Sequence, residues 1–186
     1  SVIVLDALHV AEGSAGRNSG FMIDLPHELA SDDYAGAGDD RAQIDLNRHA
    51  ITFAGDAVEE YAIDPNFFDR AGKVNGAASA KAQSHNESYA KHLLSVGEAS
   101  EALDRQQMQE LTGSPHYTSG LYTPGTVMLQ PAGYIHGLAN GLRAQGVMIY
   151  ENSPVTALHR QGSAWQVTAL KGSISAGQVI LTVNGH

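Results

Sequence analysis

The chain of 186 residues contains no cysteine and no long apolar run. Without cysteine it forms neither disulfides nor thiolate zinc sites, which is compatible with a reducing compartment, and we expect a cytoplasmic protein. No run approaches the roughly eighteen apolar residues that a membrane-spanning helix needs. Only 11 Lys and Arg stand against 20 Asp and Glu, a formal net charge of −9. This shortage of positive charge argues against nonspecific binding to nucleic acid.

Several motifs of hydrolases, phosphotransferases and metalloenzymes are also missing. The sequence has neither a G-x-S-x-G elbow nor a Walker-type glycine loop, so acyl and phosphoryl transfer have no signature in it. Its nine histidines are scattered, and none forms an H-x-x-x-H pair on a predicted helix. We therefore expect no catalytic metal site.

The most informative segment lies at the start of the chain. The apolar run Val2–Leu5 ends in the carboxylate Asp6, and residues 13–20 read GSAGRNSG. A strand that ends in a carboxylate is typical of the second strand of a dinucleotide-binding βαβ unit, although a surface acid at a strand end would look the same. Small residues in the following loop let backbone N–H groups approach a phosphate. Because no glycine fingerprint precedes the strand, we expect a piece of a larger nucleotide-binding protein.

Hydrophobic periodicity and turn residues predict the remaining elements. Helices are predicted from Asp40 to Asp64, from Ser79 to Val96, from Asp104 to Gly113 and from Pro131 to Gly146. Strands are predicted at Val2–Leu5, Phe67–Val74, Val147–Tyr150, in a hairpin of Val155–Arg160 with Trp165–Leu170, and as a buried strand at Gln178–Val183.

The segment LDALHVAEGSAGRNSGFM resembles the ribose-carboxylate strand and flavin-side loop of the D-amino-acid oxidase-like FAD-dependent oxidoreductases, in their γ-glutamylputrescine oxidase-like branch. Further matches follow in the family's order, at Gly120–Gly125, Leu129–Pro131, YENSPVTALHR and VILTVNGH. The resemblance implies an α/β fold, with an incomplete and discontinuous Rossmann-like FAD-binding domain formed by residues 1–40 and 131–186. Residues 41–130 would be an inserted α+β substrate domain with connecting helices. The family's N-terminal GxGxxG and its C-terminal part are absent from this chain.

The resemblance also implies roles for single residues. The positions that it assigns to FAD binding are Asp6, Ala7, Ser14, Ala15, Arg17, Asn18, Ser19, Gly20, Phe21, Val155, Thr182 and Asn184. Asp6 would hold the adenosine ribose, and Ser19 to Phe21 would pass beside the flavin ring. Arg17 would either neutralise the pyrophosphate or pair with an acid in its own loop.

Five later positions are also assigned roles, and all but Gln130 keep a second interpretation. Val155 would meet the adenine edge through its main chain, and its side chain suits a core position as well. Thr182 and Asn184 would face the pyrophosphate, or belong to a plain turn. Tyr122 and Gln130 would line the substrate pocket, unless Tyr122 only packs at a strand edge.

The activity that the resemblance implies is oxidation of an amine or amino acid by hydride transfer to flavin N5, with no side chain of this chain assigned as an acid or base. Two alternatives stay open: the same fold acting on a different substrate class, and a cofactor-free fragment that only folds and oligomerises. We expect the isolated chain to carry little or no FAD. We also expect it to associate, as a homodimer, through the unpaired sheet edge beside Val2–Leu5.

Overall fold

The computed structural model describes residues 1–26 and 40–183. The chain forms two compact units: unit 1 combines Ser1–Asn18 with Pro131–His186, and unit 2 is Ser19–Gln130. The first segment of unit 1 ends at Asn18, and the domain boundaries expected at residues 40 and 130 stay predictions. The assignment of cofactor and substrate roles to the two parts stays a prediction.

The helices and strands alternate in a mixed α/β pattern, as predicted. The strands are β1 (Ile3–Leu5), β2 (Phe21–Met22), β3 (Phe68–Asp69), β4 (Lys73–Ala77), β5 (Glu101–Leu103), β6 (Ser119–Thr123), β7 (Val127–Leu129), β8 (Met148–Tyr150), β9 (Val155–Gln161), β10 (Ala164–Ala169) and β11 (Gly172–Ala176). The helices are α1 (Arg41–Glu60), α2 (Ala80–Ser95), α3 (Arg105–Thr112) and α4 (Pro131–Ala144), and short 3-10 turns cover Ser14–Gly16 and Pro65–Phe67.

Unit 1 is built around a parallel strand pair. β1 pairs with β8 in parallel, with Val4 opposite Ile149, which is the pairing that an α/β nucleotide-binding sheet requires. α4 leads into β8 and begins at Pro131, whose fixed φ suits a first helical turn. It ends before Gly146, where φ is +90°. The predicted helix and strand are both confirmed.

Unit 2 holds two antiparallel three-stranded sheets, ordered β4-β6-β5 and β2-β7-β3. Their core includes Leu25, Ile44, Tyr89, Leu93 and Leu121, which come from a loop, α1, α2 and β6. The buried residues of α1 are Ile44, Ile51, Ala54 and Ala57, each at most 8 % exposed.

Side chains cap the first turns of α2 and α3. The Ser79 side chain caps α2 by accepting from Ala82 N. Asp104 and Gln107 form a capping box at the start of α3. These side chains satisfy N–H groups that the first helical turn leaves without a partner.

Three predicted features are wrong or incomplete. The strand expected at Phe67–Val74 is two strands, because Gly72, with φ +74°, turns the chain between β3 and β4. Gln178–Val183 forms no strand, and Ile180 is 87 % exposed. A strand needs a ladder partner, and the described part of the chain supplies none there. β11 was not predicted, and it extends the confirmed hairpin of β9 and β10.

Candidate functional site

Asp6 follows β1 directly. Its main-chain N–H and carbonyl both form hydrogen bonds, and one of its two carboxylate oxygens does so as well. Its N–H donates to Tyr150 O at 2.9 Å, and its carbonyl accepts from Ser153 N at 2.7 Å. The carboxylate oxygen Oδ1 accepts from Leu8 N at 2.9 Å, which closes a tight turn. Within residues 1–26 and 40–183, Oδ2 has no partner. Asp6 is therefore held rigidly, and one acceptor oxygen remains for a ligand, next to the exposed Ala7.

The glycine-rich loop forms a 3-10 turn that packs against α4. A Cβ on Gly16 would lie 1.9 Å from Ala11 O, so this glycine is required by the loop itself. Asn18 closes the turn, since its side-chain amide donates to Ser14 O and to Ala15 O. Asn18 thus shapes the backbone of the loop.

Arg17 and Ser14 are both exposed on this turn. No acid pairs with the Arg17 guanidinium among the residues that the structure describes, and the Ser14 hydroxyl has no bond there either. Of the two interpretations of Arg17, the intraloop ion pair is therefore absent from this structure. The loop presents one cation and one hydroxyl to solvent beside its exposed backbone.

Glu151, which follows β8, fastens the loop that connects β1 to the 3-10 turn. Its carboxylate accepts from Val10 N at 2.7 Å and from Arg143 at 3.3 Å, and His9 Nδ1 lies 3.7 Å away. The N–H of Val10 is the main cause that lowers the pKa of Glu151, and Arg143 and His9 add to it. Sequence analysis missed this contact because it joins residues 141 positions apart.

Ser19, Gly20 and Phe21 open unit 2. Gly20 has φ +80°, and its carbonyl accepts from Leu129 N at 2.8 Å. A Cβ on Gly20 would lie 2.1 Å from Leu129 O. A side chain is excluded at Gly20 by the protein's own backbone, whether or not a ring lies nearby. Intolerance of substitution at Gly20 would therefore not by itself indicate a bound cofactor, and the place of Ser19 to Phe21 beside a flavin ring stays a prediction.

One exposed row of side chains crosses the sheet β2-β7-β3. Phe21 is paired with Met128, and Met128 is paired with Asp69, so the three share one face. Phe21 is 49 % exposed and Met128 is 38 % exposed. The residue next along β7, Val127, is buried at 1 %, so the opposite face is covered. Tyr122 of β6 lies against Gly72, which is the packing interpretation of that tyrosine.

Asp24 is completely buried, although it follows the two-residue strand β2 in a segment without regular structure. Its Oδ2 accepts from Arg48 at 3.1 and 3.3 Å, and Thr126 Oγ1 lies 3.5 Å from Oδ1. Arg48 also donates to Glu98, and this bond is the main cause that raises the pKa of Arg48. Gly125 lies against the carboxylate, since a Cβ there would stand 1.9 Å from Oδ2.

The remaining predicted positions lie in the last third of the chain. Val155 begins β9 and is 47 % exposed, so its side chain does not occupy a core position. Thr182 is exposed in a segment without regular structure. Asn184 lies outside the described residues. Gln130 follows β7 with an exposed side chain, and its N–H donates to Phe67 O.

The predicted site residues therefore divide between the two units. Asp6, Ala7, Ser14, Ala15, Arg17, Asn18, Val155 and Thr182 belong to unit 1, and Ser19, Gly20 and Phe21 belong to unit 2. Within the described ranges, no group of three His, Asp or Glu side chains has a metal-binding arrangement. No helix in those ranges has both the length and the apolar character needed to cross a membrane.

Known proteins with similar sequences are oxidoreductases. Residues 1–186 match a family described as "FAD dependent oxidoreductase". The chain is 26% identical over 187 residues to "Probable oxidoreductase OrdL" of Rhizobium meliloti (strain 1021), covering 100% of this chain and 44% of that protein. It is 26% identical over 191 residues to "Gamma-glutamylputrescine oxidoreductase" of Escherichia coli (strain K12), covering 100% and 43%. The chain thus spans less than half the length of these relatives.

Solved structures show the same fold. The glycine oxidase of Geobacillus kaustophilus superposes with a TM-score of 0.73 at 16% identity, over 95% of this chain and 46% of that one. An L-amino acid deaminase from Proteus myxofaciens gives 0.68 at 17%, over 93% and 38%. The mixed α/β fold is therefore that of these enzymes. Because the family match runs from the first residue to the last, the chain belongs to the FAD-dependent oxidoreductases.

Proposed function

We propose that the full-length protein containing this chain binds FAD through unit 1 and oxidises an amine or an amino acid. Relatives whose names specify glycine, L-amino acids and γ-glutamylputrescine support these two substrate classes. The observation that carries the proposal is the position and the hydrogen bonding of Asp6. It follows a parallel strand, its main chain is saturated, and one carboxylate oxygen has no partner in the described ranges.

A carboxylate of this kind suits the ribose of an adenine dinucleotide. A ribose offers two neighbouring hydroxyl donors, and an ionised carboxylate is an acceptor only. The turn at Leu8 fixes the carboxylate through Oδ1, so little side-chain entropy remains to be lost on binding. Asp6 would therefore accept a ribose hydroxyl at Oδ2 without rearranging the loop.

The loop after Asp6 offers the complementary groups for a pyrophosphate. Arg17 is an exposed cation without an acidic partner in the described part of the chain, and the Ser14 hydroxyl is exposed beside it. A guanidinium binds phosphate oxygens through charge-assisted hydrogen bonds. Arg17 and Ser14 would hold the pyrophosphate, while Asn18 keeps the turn in shape.

Bound FAD would supply the acceptor for the hydride that leaves the substrate carbon. Phe21, which the resemblance places beside the flavin ring, also belongs to the exposed row with Met128 and Asp69, and this row is the substrate-side surface in the proposal. Phe21 and Met128 would exclude water from an alkyl chain. No side chain of this chain is assigned the removal of a proton.

The sharpest test is Asp6→Asn in the full-length protein. Asparagine keeps an oxygen for the Leu8 N–H bond, whereas its amide nitrogen cannot accept from a ribose hydroxyl. We expect FAD affinity to fall by about 1.5–3 kcal/mol, the scale of a lost hydrogen bond to a charged group. Isothermal titration of the apoprotein with FAD measures the change.

The matched control is Asp56→Asn, on an exposed position of α1. It removes the same charge and should leave FAD affinity unchanged. Equal affinity in Asp6→Asn and wild type would remove Asp6 from the site. A full-length wild-type protein that binds no FAD would refute the proposed function itself. The cytoplasmic location and the homodimer stay predictions.

A further inference from the structure

The buried carboxylate of Asp24 lies two residues beyond β2 and has more partners than a surface loop acid needs. Its side chain is 1 % exposed, whereas that of Arg48, which binds it, is 45 % exposed. The positively charged Lys73 lies within electrostatic reach of the same carboxylate. An ionised group is buried at this depth only when its charge is balanced by such partners.

The main chain around Asp24 is fastened on both sides. Before it, Gly20 O accepts from Leu129 N, and Phe21 and Met22 pair with β7. At the residue itself, Asn47 donates to Asp24 O at 3.0 Å. Beyond it, Tyr89 Oη donates to Pro26 O at 3.1 Å. The segment from Ser19 to Pro26 is thus tied to α1, α2 and β7 at successive points.

Asp24 provides the central tie of this series. β2 is only two residues long, so its ladder with β7 cannot fix the segment without help. The carboxylate reaches α1 through Arg48 and the turn before β7 through Thr126. It also fills the space that glycine leaves at position 125. One side chain therefore sets where β2 lies relative to its partner strand.

We infer that Asp24 is a positioning residue for oxidation, because it holds Phe21 and its neighbours in β2 where the reaction requires them. The inference rests on the proposed function, in which Phe21 belongs to the substrate side. Asp24 would act through the placement of the strand, since its own carboxylate is covered by Arg48, Thr126 and Gly125.

The experiment uses Asp24→Asn in the full-length protein loaded with FAD. Amide hydrogen exchange in a peptide covering residues 19–23 measures how firmly this segment is held. We expect exchange at least tenfold faster than in wild type. We also expect kcat to fall about tenfold or more with little change in KM, and the flavin absorbance bands to shift.

Three further variants keep the test decisive. Gly125→Ala displaces the Asp24 carboxylate without altering any charge, and it should reproduce the effects of Asp24→Asn. Arg48→Lys keeps the positive charge and should restore most of the turnover that Arg48→Gln loses. His92→Gln breaks another partly buried ion pair of unit 2, with Asp40, and should change neither the exchange of residues 19–23 nor kcat.

The outcomes separate the two proposals. Unchanged exchange and unchanged kcat in Asp24→Asn would overturn the positioning inference. The same losses in His92→Gln would overturn it too, because they would reflect general destabilisation. If wild type binds no FAD, the proposed function fails. The exchange measurement on residues 19–23 then decides whether Asp24 fixes the strand.

Discussion

In each unit a carboxylate holds the segment that follows the first strand, but the two carboxylates differ in their exposure to solvent. In unit 1, Glu151 holds the loop after β1 by accepting from Val10 N, and its side chain is 31% exposed. In unit 2, Asp24 holds the segment after β2, and its side chain is 1% exposed. Solvent screens the Glu151 contact more strongly than that of the buried Asp24 carboxylate, so the loss of Asp24 should cost more.

Removal of the buried carboxylate is expected to have the largest effect. Among the described residues, Asp24→Ala leaves Arg48 with Glu98 as its one acidic partner, and it opens a gap beside Gly125. We expect unit 2 to lose about 2–4 kcal/mol of unfolding free energy, the scale of a broken buried charge pair. Urea denaturation followed by far-ultraviolet circular dichroism measures this loss.

The two units are distinguished by a natural probe. The chain's one tryptophan, Trp165, lies in unit 1 and reports on that unit. Its fluorescence transition should stay in place in Asp24→Ala. An equal shift of both transitions would mean that the units unfold together, and the comparison between them would then lose its basis.

Replacement of Glu151, whose carboxylate is partly exposed, should have a smaller effect that depends on salt concentration and on pH. The Val10 N–H lowers the pKa of Glu151 below its ordinary value of 4.5. Glu151 therefore stabilises the folded state above that value, and this stabilisation is lost as the pH falls below it. We expect Glu151→Gln to shift the Trp165 transition modestly near neutral pH and hardly at all in acid.

Salt sharpens the contrast between the two carboxylates. The effect of Glu151→Gln should shrink as sodium chloride is raised, because exposed charges are screened within about 10 Å at 0.1 M ionic strength. The effect of Asp24→Ala should persist. Equal salt sensitivity of the two variants would contradict the difference in burial as its cause.

The smallest expected effect concerns Lys73, the second cation near Asp24. Burial lowers the pKa of Lys73 below 10.5, and Asp24 partly opposes this. The unfolded chain then binds more protons than the folded one as the pH approaches 10.5, so this lysine makes stability rise with pH in that window. Lys73→Met should flatten the rise, as chemical denaturation from neutral to alkaline pH can show. An identical slope in wild type and variant would exclude the lysine as its source.

Patterns among neighbouring residues predicted the helices and turns that depend on those residues alone. α4 was predicted from Pro131, its apolar spacing and Gly146, and the β9–β10 hairpin was predicted from alternation around a short turn. The buried contacts of Asp24 were not predictable in the same way. They join residues 24 and 102 positions apart, and an acid before Leu-Pro reads as part of a loop.

The candidate site was predictable to a similar extent. The position of Asp6 after an apolar strand was correct, because a carboxylate at a strand end is a local signal. The clash that excludes a side chain at Gly20 was not predictable, because the carbonyl concerned belongs to the distant Leu129. The strand expected at Gln178–Val183 was wrong, because a strand needs a partner strand and pairing with a distant segment cannot be read from a local pattern.

That last segment has a consequence for handling the protein. It reads QVILTV, without charge, proline or glycine, and Ile180, Leu181 and Val183 are 87%, 67% and 52% exposed. Short uncharged segments rich in β-branched residues stack readily into cross-β assemblies when they are uncovered. We therefore expect these six residues to govern the association of this chain in concentrated solution. The net charge of −9 opposes that association only through long-range repulsion.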